Sequence, residues 1–242
     1  SSSMNRPILE HYSGIEAIGI FAVANKFPLL ISMLYTVFTY SWQISVLEEF
    51  GKPGYREFYN KVFRVQLLVF VLFVLGITFF CHPLIKLMTT TDYYEAGQYV
   101  PILSLAVVFS NLAGFVGTNF SATKESRHYF TTSLWSGLLC LVLNFLLIPF
   151  CGIWGVIVSL LFSNILMFCL RIRKTQAYSP ITNVGLCLQL LLVVGGYIAL
   201  FYWTESHWVH TLGLLVALAV VILLNKDFLS EAYSICKRLV KK

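Results

Sequence analysis

An all-α, polytopic membrane bundle is the fold class this sequence predicts, and three observations carry it. Seven long apolar stretches follow one another, at about residues 17–43, 62–81, 98–120, 129–149, 152–171, 182–203 and 208–224. About 20 apolar residues suffice for one helical crossing. Only 12% of the residues are charged while 58% are hydrophobic, whereas a soluble domain carries roughly 25% charged residues. The basic residues also alternate. Fourteen Lys and Arg lie after the first, third and fifth stretches and in the tail, and two, Arg6 and Lys86, lie on the other side. The positive-inside rule then places the N-terminus of the chain outside and the C-terminus in the cytoplasm. A net charge of +6 and a pI near 9.0 therefore read as topology signals and call for no nucleic-acid partner.

The first stretch, Ile18 to Gln43, organises the rest. It is long and apolar, yet it carries Asn25, Lys26 and Pro28 near its middle. A charge near the bilayer centre costs at least ~2.5–3.5 kcal/mol, and Lys26 sits too deep for its stem to reach an interface. It is expected to face a bundle interior or a wet cavity. Asn25, Ser32, Thr36 and Gln43 fall within about 20° of one direction on a helix. The stripe reads either as a polar seam to a neighbouring helix, kinked at Pro28, or as a solvated, ligand-facing surface. The adjacent lysine favours the second reading.

After this stretch, Ser45 to Tyr59 predicts a helix break at Gly51–Gly54 and a cytoplasmic return. The third stretch repeats Ser104, Asn111 and Thr118 every seven residues, with small residues Ser110, Gly114, Gly117 and Ser121 nearby. The fourth carries Ser133, Gly137, Cys140 and Asn144. The fifth carries Gly155, Ser159 and Ser163, a small-xxx-small run that lets two helices approach closely. The sixth and seventh are apolar nearly all round, as lipid-facing helices are. They read as a peripheral addition. From Lys226 the tail predicts a basic amphipathic helix on the membrane surface.

Little here suggests chemistry. Cys81, Cys140, Cys151, Cys169, Cys187 and Cys236 form no CxxC pair and lie mostly inside or at the ends of apolar runs, so buried free thiols are expected, not a metal site or disulfides. The histidines fall at segment ends. No nucleophile elbow, P-loop, zinc-protease or dinucleotide motif occurs. No carboxylate lies inside a span, since Glu48 and Glu49 sit at the cytoplasmic end. Neither an enzyme, a metal nor a cofactor is expected.

The pieces Gly19 to Pro28, Thr123-Lys124, and Asn144 with Ile148-Pro149, Gly152 and Gly155 stand in an order and spacing that resembles the polysaccharide-transport branch of the MOP exporter superfamily. That branch holds the Wzx-type flippases of O-antigen and capsule repeat units. The resemblance covers about residues 5–175. It implies a bundle of two six-helix lobes related as parallel repeats, often with two extra C-terminal helices. Residues 1–175 would then be the last five helices of the second lobe, 176–225 the extra pair, and 226–242 the cytoplasmic tail. The first lobe and the first helix of the second would lie elsewhere, in the same or another chain.

The function so implied is translocation of a lipid-linked oligosaccharide, undecaprenyl diphosphate carrying a sugar repeat unit, across a bacterial cytoplasmic membrane. Its partners are that lipid, the bilayer and the missing lobe. The candidate substrate-binding residues are Lys26 as the anion contact, with Asn25, Gln43, Asn111 and Asn144 as polar contacts. Lys124 and Arg127 would stand at the cytoplasmic mouth, where topology alone also accounts for them. A multidrug antiporter of the same superfamily is the alternative, though a cationic drug favours acidic cavity residues. A seven-helix receptor or retinal protein would share the topology, but the seventh span has no lysine for a Schiff base. A membrane-embedded enzyme would need paired carboxylates or a histidine cluster at one membrane face.

Overall fold

The computed structural model describes residues 2–230 except 177, 180, 183, 205 and 229. Among the described residues, seven helices are long and apolar enough to cross a membrane and no strand occurs. The chain is an all-α polytopic bundle. The helices are α1 (Ser2–Glu49), α2 (Tyr55–Met88), α3 (Val100–Ala122), α4 (Ser126–Cys151), α5 (Ile153–Thr175), α6 (Val184–Trp203) and α7 (His207–Leu224). A run of 3-10 helix, Thr91–Tyr99, leads into α3.

Helix α1 has 48 residues, more than twice the about 20 needed for one crossing. Its break falls at Gly14, with φ 81° and ψ 176°, a conformation open essentially only to glycine. Through Pro28, where the polar-seam reading placed a kink, φ and ψ stay helical. The predicted return at Gly51–Gly54 is present: Gly51 and Gly54 take φ 81° and 89°, and Lys52 closes the turn with an ion pair to Glu49 at 2.9 Å.

The chain divides into two compact units, residues 1–182 and 183–242. The boundary lies seven residues beyond the 175/176 division read from the sequence. Residues after α5 are tied back to the first unit: the Ser179 hydroxyl donates to Asn119 Oδ1 (3.1 Å) and the Thr182 amide to Asn60 Oδ1 (2.8 Å). In the second unit α6 packs along α7 as a hairpin. The amphipathic tail expected from Lys226 lies, from residue 231 onward, outside the described residues.

Within the first unit α3 is the central helix, packed by α1, α2 and α5, while α4 packs on α5. α1 and α3 run parallel, for Gly19 lies against Tyr93 just before α3 and Trp42 Nε1 donates to Thr118 Oγ1 near its end (3.0 Å). Aromatic rings join α1, α2 and α3 around fully buried Phe115. Trp42 stacks on it at 4.4 Å, and Tyr59 and Phe63 meet it at 5.2 and 5.6 Å. α5 meets α4 through its small residues. A Cβ at Gly155 would lie 2.7 Å from the Ile148 nitrogen, and Ser136 donates to the Ser163 carbonyl at 2.8 Å. Small side chains let the two backbones come this close.

Candidate functional site

The small stripe of α3 borders two clefts of the first unit. Ser110, Gly114, Gly117 and Ser121 fill too little space to seal the gap between α3 and its neighbours. The first cleft, about 500 Å³, is walled by Tyr35, Thr39 and Gln43 of α1, by Gly114, Gly117, Thr118 and Ser121 of α3, and by Ser126, Tyr129 and Ser133 of α4. Gln43, Ser126 and Phe130 at its edge are exposed. The second, about 530 Å³, lies between α3, α4 and α5. Its lining includes Ser110, Ser136, Gly137, Cys140, Asn164 and Arg171, and it shares Gly114, Tyr129 and Ser133 with the first. Among the described residues, no Asp or Glu lines either cleft.

Arg171 is the charged group of this region. It is 2% exposed. Its Nη1 donates to the Ala113 carbonyl of α3 (2.7 Å), its Nη2 to Ser133 Oγ (2.9 Å) and its Nε to Thr132 Oγ1 (3.3 Å) of α4. The Tyr129 ring covers the guanidinium at 4.2 Å, a cation–π contact. All of these partners are formally neutral, and no described carboxylate pairs with the arginine. A buried charge satisfied only by dipoles carries an uncompensated field, which is costly to keep out of water.

The residues singled out in the sequence do not converge on one point. Gln43 lines the first cleft. Lys124, with φ 59° in the α3–α4 turn, and Arg127 are exposed where Ser121 and Ser126 open that cleft. Asn111 lines neither cleft; it is 8% exposed on α3, and its Nδ2 has no partner among the described residues. Asn144 is fully buried in the row Thr132, Ser136, Cys140, Asn144, Ile148 that α4 turns toward α5. Its Nδ2 lies 3.7 Å from Cys140 Sγ. Asn25 is half-buried and Lys26 exposed. The Asn25 stripe thus meets a cleft only at its Gln43 end. Lys26 stands 17 residues from Gln43, about 25 Å along a helix and rotated about 100° from it. In this chain it faces outward, not into the bundle interior or a cleft that its depth led us to expect.

Arg171, Tyr129 and Ser133 were missed as a group. Read beside Arg173 and Lys174, Arg171 counts as one more cytoplasmic cation. The available signal was its spacing: it stands seven residues after Asn164, hence on the same helical face. Asn164 itself donates to the Ala106 carbonyl at 3.0 Å and lines the second cleft.

No family model matches the chain, and no curated protein matches it. Its seven apolar helices define its class, a multi-pass α-helical membrane protein.

Proposed function

We propose that this chain belongs to a transporter that moves lipid-linked oligosaccharide repeat units from the cytoplasmic to the outer leaflet of a bacterial cytoplasmic membrane, as flippases of the MOP superfamily do. The observation that carries this reading is the first cleft. A groove lined by hydroxyl, amide and phenol groups, with an exposed edge in an otherwise apolar bundle, suits a substrate whose sugars need hydrogen bonds while its polyprenyl chain stays in lipid. The absence of any carboxylate from the lining of both clefts argues against a cationic drug as cargo.

The exposed Lys26 supports a second body. A charged side chain in mid-span belongs against protein or a water-filled cavity, and here it points away from the described helices. We assign that direction to the other lobe of the transporter, with Lys26 as an anion contact in the cavity between lobes and Asn25 beside it. The N-terminus of the chain is then outside and the C-terminus cytoplasmic, with Lys124 and Arg127 at the cytoplasmic mouth.

The test uses source cells in which the gene is deleted and restored. Deletion should stop export of the surface polysaccharide and leave lipid-linked repeat units on the cytoplasmic leaflet. Lys26→Ala should abolish export at unchanged protein level, and Lys26→Arg should retain part of it. Export that survives deletion would refute the transport reading, whereas normal export by the alanine variant would refute only the assignment of Lys26.

A further inference from the structure

We propose that Arg171 and Ser133, behind the ring of Tyr129, form a phosphate-binding seat in the wall between the two clefts. Its ligand class is a phosphoryl oxyanion, and for its source we take the diphosphate of an amphiphile. That source rests on the transport reading above; the seat itself does not.

Four observations converge on it. The charge is buried at 2% exposure, and every described group that touches it is neutral. A guanidinium in such surroundings binds an oxyanion strongly, because its fork of N–H groups matches two phosphoryl oxygens and little water screens the pair. The wall beside it is thin. Ser133 and Tyr129 line both clefts, and Ser133 Oγ already accepts from Arg171 Nη2 at 2.9 Å. Its hydroxyl donates to the Tyr129 carbonyl at 3.0 Å and would turn from that acceptor to a ligand oxygen.

The position on the helix also fits. Arg171 stands four residues before the end of α5 at Thr175, about 6 Å, and near the start of α4. Exposed Lys124, Arg127, Arg173 and Lys174 surround this end of the bundle. Such a ring of cations raises the local concentration of anions and steers them inward. Finally, the site is kept clear by glycine. A Cβ at Gly117 would lie 2.7 Å from Arg171 Nη1 and 3.0 Å from Tyr129 Cε2. Tyr129, 47% exposed, is the cover: rotation of its ring toward the cleft would present the guanidinium.

A cross-brace between α3, α4 and α5 would need the same hydrogen bonds, so the experiment must read binding and not stability alone. The full chain is reconstituted in nanodiscs of zwitterionic lipid and titrated with farnesyl diphosphate and with inorganic pyrophosphate, binding being followed by calorimetry. Farnesyl diphosphate should bind with an affinity that falls steeply as salt rises. Ser133→Ala should weaken it about tenfold, the size of one hydrogen bond to a charged group, and Arg171→Gln more. Should Arg171→Gln fail to fold, Ser133→Ala decides, since its own melting temperature separates fold from affinity. Pyrophosphate bound as tightly, with the same dependence on Arg171 and Ser133, would support the seat and overturn its lipid source. No binding by folded wild-type protein, or equal binding by both variants, overturns the seat. Transport is not read in this assay, so a failed export phenotype and a failed seat remain distinct results.

Discussion

Replacing Gly155 by alanine tests the packing that holds α5, and with it Arg171, against α4. The added Cβ would lie 2.7 Å from the Ile148 nitrogen, 2.7 Å from the Leu147 carbonyl carbon and 2.8 Å from its oxygen. All three are backbone atoms, so no side chain can turn aside. Comfortable contacts between such atoms lie near 3.5 Å or more, so the helices must part by about 0.7–1 Å. Overpacking of this kind costs about 1–3 kcal/mol. Parting also stretches the Ser136–Ser163 bond at 2.8 Å and the Arg171 bonds to Thr132 and Ser133. Gly137 on α4 is the control, because a Cβ there meets nothing within 4 Å. Its alanine should gain about 0.5–1 kcal/mol from helix propensity. Gly155→Ala gains the same propensity, so the two variants should differ by about the overpacking cost, about 1–3 kcal/mol, several degrees in melting temperature. Melting in detergent, followed by size-exclusion chromatography, measures it. A Gly155→Ala protein that melts with or above Gly137→Ala would refute the close approach of α4 and α5.

Two other predictions follow from the same geometry. Asn119 Oδ1 accepts hydrogen bonds from the Tyr55 hydroxyl (2.7 Å) and the Ser179 hydroxyl (3.1 Å). Asn119→Ala strands both donors and should destabilise the first unit by about 1–3 kcal/mol; an unchanged melting temperature would show that the α5–α6 connection is not held there. For orientation, Cys151 is exposed at the end of α4, at the far end of that helix from Lys124. With the other cysteines changed to serine, an impermeant maleimide should label Cys151 in intact cells. In the same background lacking Cys151, Lys124→Cys should react only after permeabilisation. The reverse pattern would overturn the proposed topology.

What the chain determined by itself is whatever depends on order along it. Runs of apolar residues too long for a soluble helix set seven crossings, and the two-glycine return at Gly51–Gly54 needed only local backbone freedom. The stripes of small residues on α3, α4 and α5 were equally legible, since helical periodicity fixes which residues share a face. Their consequence was not. The same spacing on α5 brings Gly155 into backbone contact with α4, while on α3 it leaves Gly114 and Gly117 walling a cleft. Which outcome occurs depends on what the neighbouring helix presents, and that is a tertiary fact. Lys26 and Arg171 make the same point with opposite results. Depth in the span singled out Lys26, yet no described helix packs over it. Nearness to the end of its span made Arg171 look like a topology signal, yet α3 and α4 enclose it and supply neutral acceptors. Hydropathy records where a residue lies across the bilayer; only packing decides whether its charge meets protein, lipid or a ligand.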